Sequence, residues 1–150
     1  MSPTSGARGL SALGDFVFRI PLTTAVVIPR GIKATQAILG YQRVVTIYDQ
    51  TDLFSTDRDE TLRETFVANG IEVLTTEPFD SGDTDFSAQL TRIKELNPEA
   101  IFVSALPPEK PGILIQGHDL GLSVPFVVSS LTDREVQAAG VAAEGAITFT

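Results

Sequence analysis

Three short stretches between predicted elements hold most of the side chains that could bind a ligand or do chemistry. They are residues 49–54 (Asp-Gln-Thr-Asp-Leu-Phe), 106–109 (Leu-Pro-Pro-Glu) and 129–133 (Ser-Ser-Leu-Thr-Asp), and each follows an apolar run typical of a strand. In an open α/β sheet, ligands bind beyond the carboxyl ends of the strands. We therefore expect these three stretches to form one rim.

Asp49 and Asp52 are the rim carboxylates that most invite a catalytic interpretation. Two such groups after a strand could form the acidic pocket of a phosphorylated signalling receiver. That site also needs a lysine after the last strands, and none follows them here. A carboxylate at the end of a strand more often caps a loop, so the capping interpretation is favoured.

The sequence gives little indication of a metal site, a nucleotide-binding site or a catalytic nucleophile. His118 is the sole histidine and there is no cysteine, so neither a metal site nor a Ser-His-Asp triad is indicated, and His118 is expected at the surface. No G-x-G-x-x-G or G-x-x-x-x-G-K-[ST] motif is present. We therefore expect no enzyme activity and no cofactor.

Composition narrows the class of protein further. The 150 residues are 43% hydrophobic and 20% charged, as in one globular domain. A net charge of −8 is the wrong sign for binding a phosphate backbone, which excludes nucleic acid as an expected partner. The apolar runs are far shorter than the ~20 residues that a membrane-spanning helix needs.

The elements that must position the rim alternate between strand and helix. Runs rich in β-branched residues separate segments of helical period, and the central runs are apolar on both faces. This pattern predicts a doubly wound, mainly parallel α/β sheet with helices on both faces. Strands are predicted at 16–20, 44–48, 71–76, 100–105, 126–128 and 146–150.

Five helices are predicted between these strands. Leu62, Phe66, Phe86, Leu90 and Ile93 form their apolar stripes and are expected in the core. The first predicted helix covers 24–39, with Pro29 as an alternative first turn, and the second begins at a capping box at Thr56 and ends at 69. The third begins at Thr84 or Asp85 and ends at 97. The fourth covers 109–120, and the fifth begins at Thr132 or Asp133 and ends at 140.

The order of segments resembles a known family. The runs that carry the resemblance are residues 15–19 (Asp-Phe-Val-Phe-Arg), 82–90 (Gly-Asp-Thr-Asp-Phe-Ser-Ala-Gln-Leu) and 97–101 (Asn-Pro-Glu-Ala-Ile). The chain resembles the leucine/isoleucine/valine-binding receptors, which are extracellular solute-binding proteins of ABC importers with the type I periplasmic-binding fold. Residues 1–14 would form an irregular crossover segment and residues 15–150 a single ligand-binding lobe.

The resemblance implies partners and a location. It covers only the second of two lobes, so the expected partners are a small-molecule solute, the first lobe of the same receptor and an ABC permease in the membrane. The expected location is extracellular or periplasmic, with a lipoprotein anchor as one form of the full-length protein. A ligand-sensing domain of a receptor or transcriptional regulator is the alternative. Self-association of the isolated lobe is also expected, because apolar residues facing the first lobe would be exposed.

Carried over position by position, the resemblance implies five ligand-binding residues. Leu53 occupies a place where the family often has an aromatic residue, and Phe54 one where glycine is common. Leu106 lies at the second aromatic position, and Thr24 stands where aspartate is frequent. Ser130 matches the acidic residue that holds the ligand ammonium in amino-acid receptors.

The Ser130 position predicts the class of solute. An unpaired ammonium in a dry crevice costs several kcal/mol, and Ser130 supplies only a hydroxyl. An apolar or aromatic carboxylate is therefore expected rather than an ordinary amino acid. Asp49, Asp52 and Asp133 remain alternative partners for an amine.

Overall fold

Helices and strands alternate along the described chain, as the sequence pattern predicts. The computed structural model describes residues 22–149, so the predicted crossover at 1–14 and the predicted strand at 16–20 lie outside the described residues. The elements are α1 (Thr24–Leu39), β1 (Arg43–Asp49), α2 (Leu53–Ala68), β2 (Glu72–Phe79), α3 (Ser87–Leu96), β3 (Ala100–Ser104), α4 (Lys110–Asp119), β4 (Phe126–Val128), α5 (Asp133–Ala139) and β5 (Ile147–Thr148), with a 3-10 turn at Gly140–Ala143.

One sheet organises these elements. Its five strands lie in the order β2-β1-β3-β4-β5, and every neighbouring pair is parallel. The central strand β3 is buried along its whole length because helices cover both of its faces. The prediction of a doubly wound α/β sheet is confirmed.

Alternate residues of β3 point into two separate cores. Ala100 and Phe102 pack under α1 and α2, where the Phe102 ring meets Tyr41 and Phe66 edge-on at 5.6 and 4.8 Å between ring centroids. The intervening residues of β3 pack under α3, α4 and α5. The side chains predicted to be buried are confirmed in these cores: Leu62, Phe66, Phe86, Leu90 and Ile93.

The predicted start of α2 is wrong by three residues. The helix begins at Leu53, and its N-cap is Asp52, whose side chain accepts from the backbone N–H of Ser55 at 2.7 Å. Thr56 lies inside the first turn and donates its hydroxyl to the carbonyl of Asp52 at 2.9 Å. Asp52 precedes Thr56 as a competent cap, so the helix starts earlier. Leu53 and Phe54 are therefore helical rather than loop residues.

Of two other predicted starts, that of α1 at Thr24 is confirmed, whereas that of α3 is wrong. Pro29 is not the first turn of α1, because the N–H groups of Val26 and Val27 already donate to the carbonyl of Thr23 and start the helix at Thr24. Helix α3 begins at Ser87 rather than at Thr84 or Asp85. The Asp85 carboxylate accepts from the Ser87 backbone and hydroxyl at 2.9 and 2.6 Å, which holds this segment as a turn before the helix.

The two outer strands differ in length from the prediction. Strand β5 is limited to two residues. Strand β2 runs past the predicted end at 76 and includes Pro78. Proline has no N–H for a ladder and is confined to edges, and β2 lies at the edge of the sheet that residues 22–149 form. The Pro78 carbonyl accepts from the side chain of Gln89 at 3.2 Å.

Candidate functional site

The carboxyl ends of β1, β3 and β4 bring three loops together at one edge of the sheet. Tyr48 pairs with Ser104 and Val103 with Val128, so the three strands end at the same level. We call residues 49–54, 106–109 and 129–133 the rim. The sequence-predicted positions lie along it: Leu53 and Phe54 at the start of α2, Leu106 on the loop after β3 and Ser130 on the loop after β4.

Asp49 holds the first loop of the rim in place. Its carboxylate is fully buried and accepts from the backbone and hydroxyl of Thr51 at 2.9 and 2.8 Å, from the backbone of Asp52 at 3.2 Å, and from the Ser81 hydroxyl. Burial raises the pKa of Asp49, but the hydrogen bonds from Ser81 and Thr51 outweigh it and leave this pKa below its ordinary value. This geometry supports a loop-capping role for Asp49 and not a role in the acidic pocket of a signalling receiver.

Replacing Asp49 by asparagine tests that role. We expect D49N to lower the free energy of unfolding by about 1–2 kcal/mol at pH 7, because hydrogen bonds to a charged acceptor are lost. The folded-state pKa is depressed, so the stabilisation is present above the ordinary value of 3.8 and is lost as pH falls through the folded value. Urea titrations from pH 7 to pH 2.5 should show the wild-type and variant curves converging in acid.

The exposed residue Asp119 supplies the matched control for this comparison. Its side chain is 72% exposed, so D119N should leave the free energy of unfolding at pH 7 nearly unchanged. A wild-type advantage over D49N that is the same at pH 2.5 and pH 7 would contradict a carboxylate-dependent cap.

The start of α2 presents apolar side chains at the rim. Asp52 caps the helix, which commits its carboxylate to the Ser55 backbone. Leu53, the first helical residue, has 79% of its surface exposed, and Phe54 is half-buried. Asp49 fixes the preceding loop and Asp52 fixes the helix start, so the backbone positions of Leu53 and Phe54 are well defined.

Thr24 lies at the start of α1 and is buried. Its hydroxyl donates to the Asp57 carboxylate on α2 at 2.7 Å. This bond joins the amino-terminal turns of the two helices that cover one face of the sheet. Thr24 thus has a positioning role in the structure, and its contact with a ligand stays a prediction.

The second loop of the rim carries Leu106, which is half-buried, and two exposed prolines, Pro107 and Pro108. Glu109 anchors this loop from below: it is buried, and one carboxylate oxygen accepts from the backbone of Gly82 at 3.0 Å. The bond connects the loop after β3 to the loop after β2.

Ser130 sits above a buried ion pair that the sequence analysis missed. The Lys110 ammonium donates to the backbone carbonyl of Ser130 at 2.9 Å and to its hydroxyl oxygen at 3.3 Å. The same ammonium lies 3.1 Å from the Glu135 carboxylate on α5, and both side chains of this pair are almost completely buried. Lys110 therefore joins α4, the loop after β4 and α5.

Glu135 completes this arrangement as part of a capping box. Its second carboxylate oxygen accepts from the backbone and hydroxyl of Thr132, both at 2.7 Å, which confirms the predicted start of α5. Burial raises the pKa of Glu135, but the bonds from Thr132 and Lys110 hold it below its ordinary value. One feature of the sequence points to the pair: a lysine in the first turn of a helix opposes the helix dipole and needs another reason to be there.

Arg58 on α2 is a second buried cation that the sequence analysis missed. Only 4% of its surface is exposed, and its Nε has no hydrogen-bond acceptor within residues 22–149. Burial lowers the pKa of Arg58 to about 10. Its guanidinium lies over the ring of Phe149, 5.1 Å from the centroid, so the aromatic face supplies part of the stabilisation that a carboxylate would otherwise give.

Among residues 22–149, cavities lie at opposite edges of the sheet. One of about 360 Å³ opens at the rim, between the prolines of the second loop and the first turn of α5. The other, of about 450 Å³, lies where β4 and β5 begin, and His118 borders it. The His118 side chain is exposed, which confirms its expected surface position.

The part of the chain that the structure describes has neither a candidate metal site nor a candidate membrane-spanning helix. Between residues 22 and 149, no three His, Asp or Glu side chains cluster closely enough to hold a metal ion. No helix in the same range combines the length and apolarity that crossing a bilayer requires.

Comparisons with known proteins agree with the fold. The sequence profile of a family described as periplasmic binding protein matches residues 10–150. No curated protein matches the chain. Its structure is similar to a leucine-binding protein, LivK, from Thermotoga maritima, with 28% sequence identity and a TM-score of 0.82 over 87% of this chain and 38% of that one.

A second solved structure is similar over more of the chain. It is the branched-chain amino acid transporter substrate-binding protein LivJ from Streptococcus pneumoniae, in complex with isoleucine. The identity is 25% and the TM-score 0.85, over 93% of this chain and 40% of that one. The chain thus spans about two fifths of the length of the proteins it is compared with.

Proposed function

Because the chain belongs to the periplasmic binding protein family, we propose that it is the solute-binding lobe of a receptor that delivers a small solute to an ABC importer. Its fold is that of one lobe of a type I periplasmic binding protein. The observation that carries the proposal is the TM-score of 0.85 over 93% of the chain with a substrate-binding protein solved with isoleucine. The family consists of binding proteins, and the proposed role involves no catalysis.

The rim supplies this chain's half of the proposed crevice. Asp49, Glu109 and Lys110 fix its three loops through partly buried hydrogen bonds, so little conformational entropy is lost when a solute binds. Leu53 at the start of α2 and Leu106 on the loop after β3 provide apolar contact. A solute bridging the rim and a second lobe would favour the closed form, because it contacts both surfaces only when they meet.

The proposal also includes location and partners. The receptor would act outside the cytoplasmic membrane, either free in the periplasm or anchored as a lipoprotein, and its closed form would dock on the permease. If the lobe is produced alone, the exposed Leu53 and its apolar neighbours on the rim would favour self-association through the face that the other lobe covers.

Calorimetry and scattering on the two-lobed receptor that contains this chain test the proposal. The probes are pairs that differ only in the α-ammonium: leucine with 4-methylpentanoate, and phenylalanine with 3-phenylpropanoate. We expect at least one probe to bind with 1:1 stoichiometry and to reduce the radius of gyration, because closure brings the lobes together.

Rim variants locate the binding on this chain. Leu106→Ala should weaken the bound probe by about tenfold, since it removes apolar contact at the crevice. Leu96→Ala, an exposed leucine at the far end of α3, should leave the affinity unchanged. Absence of binding by every probe, or equal affinity of wild type and L106A, would contradict the proposed site.

A further inference from the structure

The buried Lys110 determines what the Ser130 hydroxyl can offer a ligand. An ammonium is a donor only, so at 3.3 Å from the Ser130 Oγ it must donate to that oxygen. One acceptor position of the hydroxyl is then occupied from below. Among the described residues the Ser130 hydroxyl donates to no partner, and the residue is half-exposed on the rim. Its O–H is thus available to donate outward.

The positive charge of Lys110 next to Ser130 also favours a ligand group that accepts a hydrogen bond. The Lys110 ammonium touches the hydroxyl, whereas Glu135 approaches the lysine from α5 and has its other oxygen committed to Thr132. A ligand ammonium at Ser130 would approach Lys110 and meet a hydroxyl whose acceptor capacity is partly used. A ligand carboxylate would meet a free donor that is polarised by a cation.

We infer that Lys110 sets the ligand class of the rim through Ser130, so that the solute presents a carboxylate oxygen, and no ammonium, at this position. The inference rests on the proposed function, since it requires a solute in the crevice. Lys110 is a positioning residue in this scheme, because it reaches the ligand only through the serine hydroxyl.

The other rim carboxylates are exposed or hold parts of the fold other than the loop that carries Ser130. Asp49 is buried with four hydrogen bonds to its carboxylate, and Asp52 is the cap of α2. Asp133 is the exposed first residue of α5, where a carboxylate is stabilised by the helix dipole. Glu109 is buried and has one carboxylate oxygen without a hydrogen-bond partner within residues 22–149. Its other oxygen holds the loop after β2 rather than the loop after β4 that carries Ser130.

Binding of the same paired probes to the two-lobed receptor tests the inference. Within every pair that binds, the member without the ammonium should bind at least about tenfold more tightly. A pair in which leucine or phenylalanine binds more tightly than its counterpart would overturn the inference while leaving the proposed function intact. If no probe of any pair binds, the proposed function itself is contradicted, so this result is distinguishable from a reversed preference within a pair.

Three serine variants identify the residues responsible. Ser130→Asp changes the net charge of the Lys110, Glu135 and position-130 cluster from zero to −1, and should reverse the preference within a pair. Ser130→Ala removes the donor and should weaken the carboxylate probe about tenfold. Ser123→Asp makes the same substitution at the opposite edge of the sheet and serves as the control, with no change of preference expected.

If circular dichroism shows that S130D is folded and the variant still prefers the probe without the ammonium, the assignment to Ser130 is overturned. A preference for the amino-acid member that disappears in Asp133→Asn would place an ammonium site at α5 and overturn it as well. Equal shifts in S130D and S123D would show a long-range effect of charge rather than a contact.

Discussion

Phe102→Ala is expected to lower the free energy of unfolding by about 3–5 kcal/mol, the largest effect of any single truncation considered for this chain. Phe102 is fully buried in the central strand β3, and its ring is held edge-on between Tyr41 and Phe66. Removing the ring leaves a cavity between the sheet and two helices and also removes both aromatic contacts. Urea unfolding followed by circular dichroism measures the loss.

An exposed apolar residue gives the control for Phe102. Val67 on α2 has 75% of its surface exposed, so Val67→Ala should change the free energy of unfolding by less than about 0.5 kcal/mol. A loss below about 1 kcal/mol for F102A would contradict the rigid packing described for this core.

Lys110→Met is expected to destabilise the fold by about 3 kcal/mol. The substitution leaves the Glu135 carboxylate buried without its cation, at 3.1 Å from where the ammonium stood, and removes the donor that holds the Ser130 carbonyl. Most of the cost comes from the isolated charge rather than from the lost attraction. Unfolding of wild type and variant in urea at pH 7 gives the difference.

A double variant separates the two causes. Lys110→Met/Glu135→Gln removes the isolated charge but keeps a carbonyl oxygen that can accept from Thr132. We expect it to recover at least half of the stability lost in K110M. A double variant as unstable as the single one would mean that the Ser130 carbonyl, not the charge on Glu135, accounts for the loss.

Hydrophobic periodicity was sufficient to predict the sheet and the core of this chain. Runs such as 100–105 are apolar on both faces, and only a strand covered by helices on each side satisfies that pattern. Leu90 and Ile93 lie on one helical stripe and are buried for the same reason. These predictions are confirmed because the spacing of apolar residues along the chain and their burial in the core favour the same elements.

Predictions that depend on a choice between similar local signals were less accurate. Asp52 and Thr56 are both acceptable N-caps, and only the bond from Ser55 to Asp52 decides between them. The extension of β2 to Phe79 depends on pairing with β1, which supplies partners across Pro78. The first choice is made by a bond three residues away, and the second by a strand that is distant in the sequence.

The buried pair behind Ser130 could not be predicted from spacing alone. Lys110 and Glu135 lie on different helices, and their meeting depends on how α4 and α5 pack beside β4. The dipole argument marks Lys110 as unusual but does not identify Glu135. Contact of a solute with Leu53, Phe54, Leu106, Ser130 and Thr24 stays a prediction, because it depends on the solute and on a second lobe as well as on this chain.

The proline in β2 also bears on how copies of this protein meet one another. At Pro78 the outer margin of the sheet has no amide hydrogen to offer, and the carbonyl of that residue is already bonded to Gln89. A polypeptide strand from another molecule would find neither a donor nor a free acceptor there. Fibril-like extension of the described sheet past β2 is thus interrupted at this point.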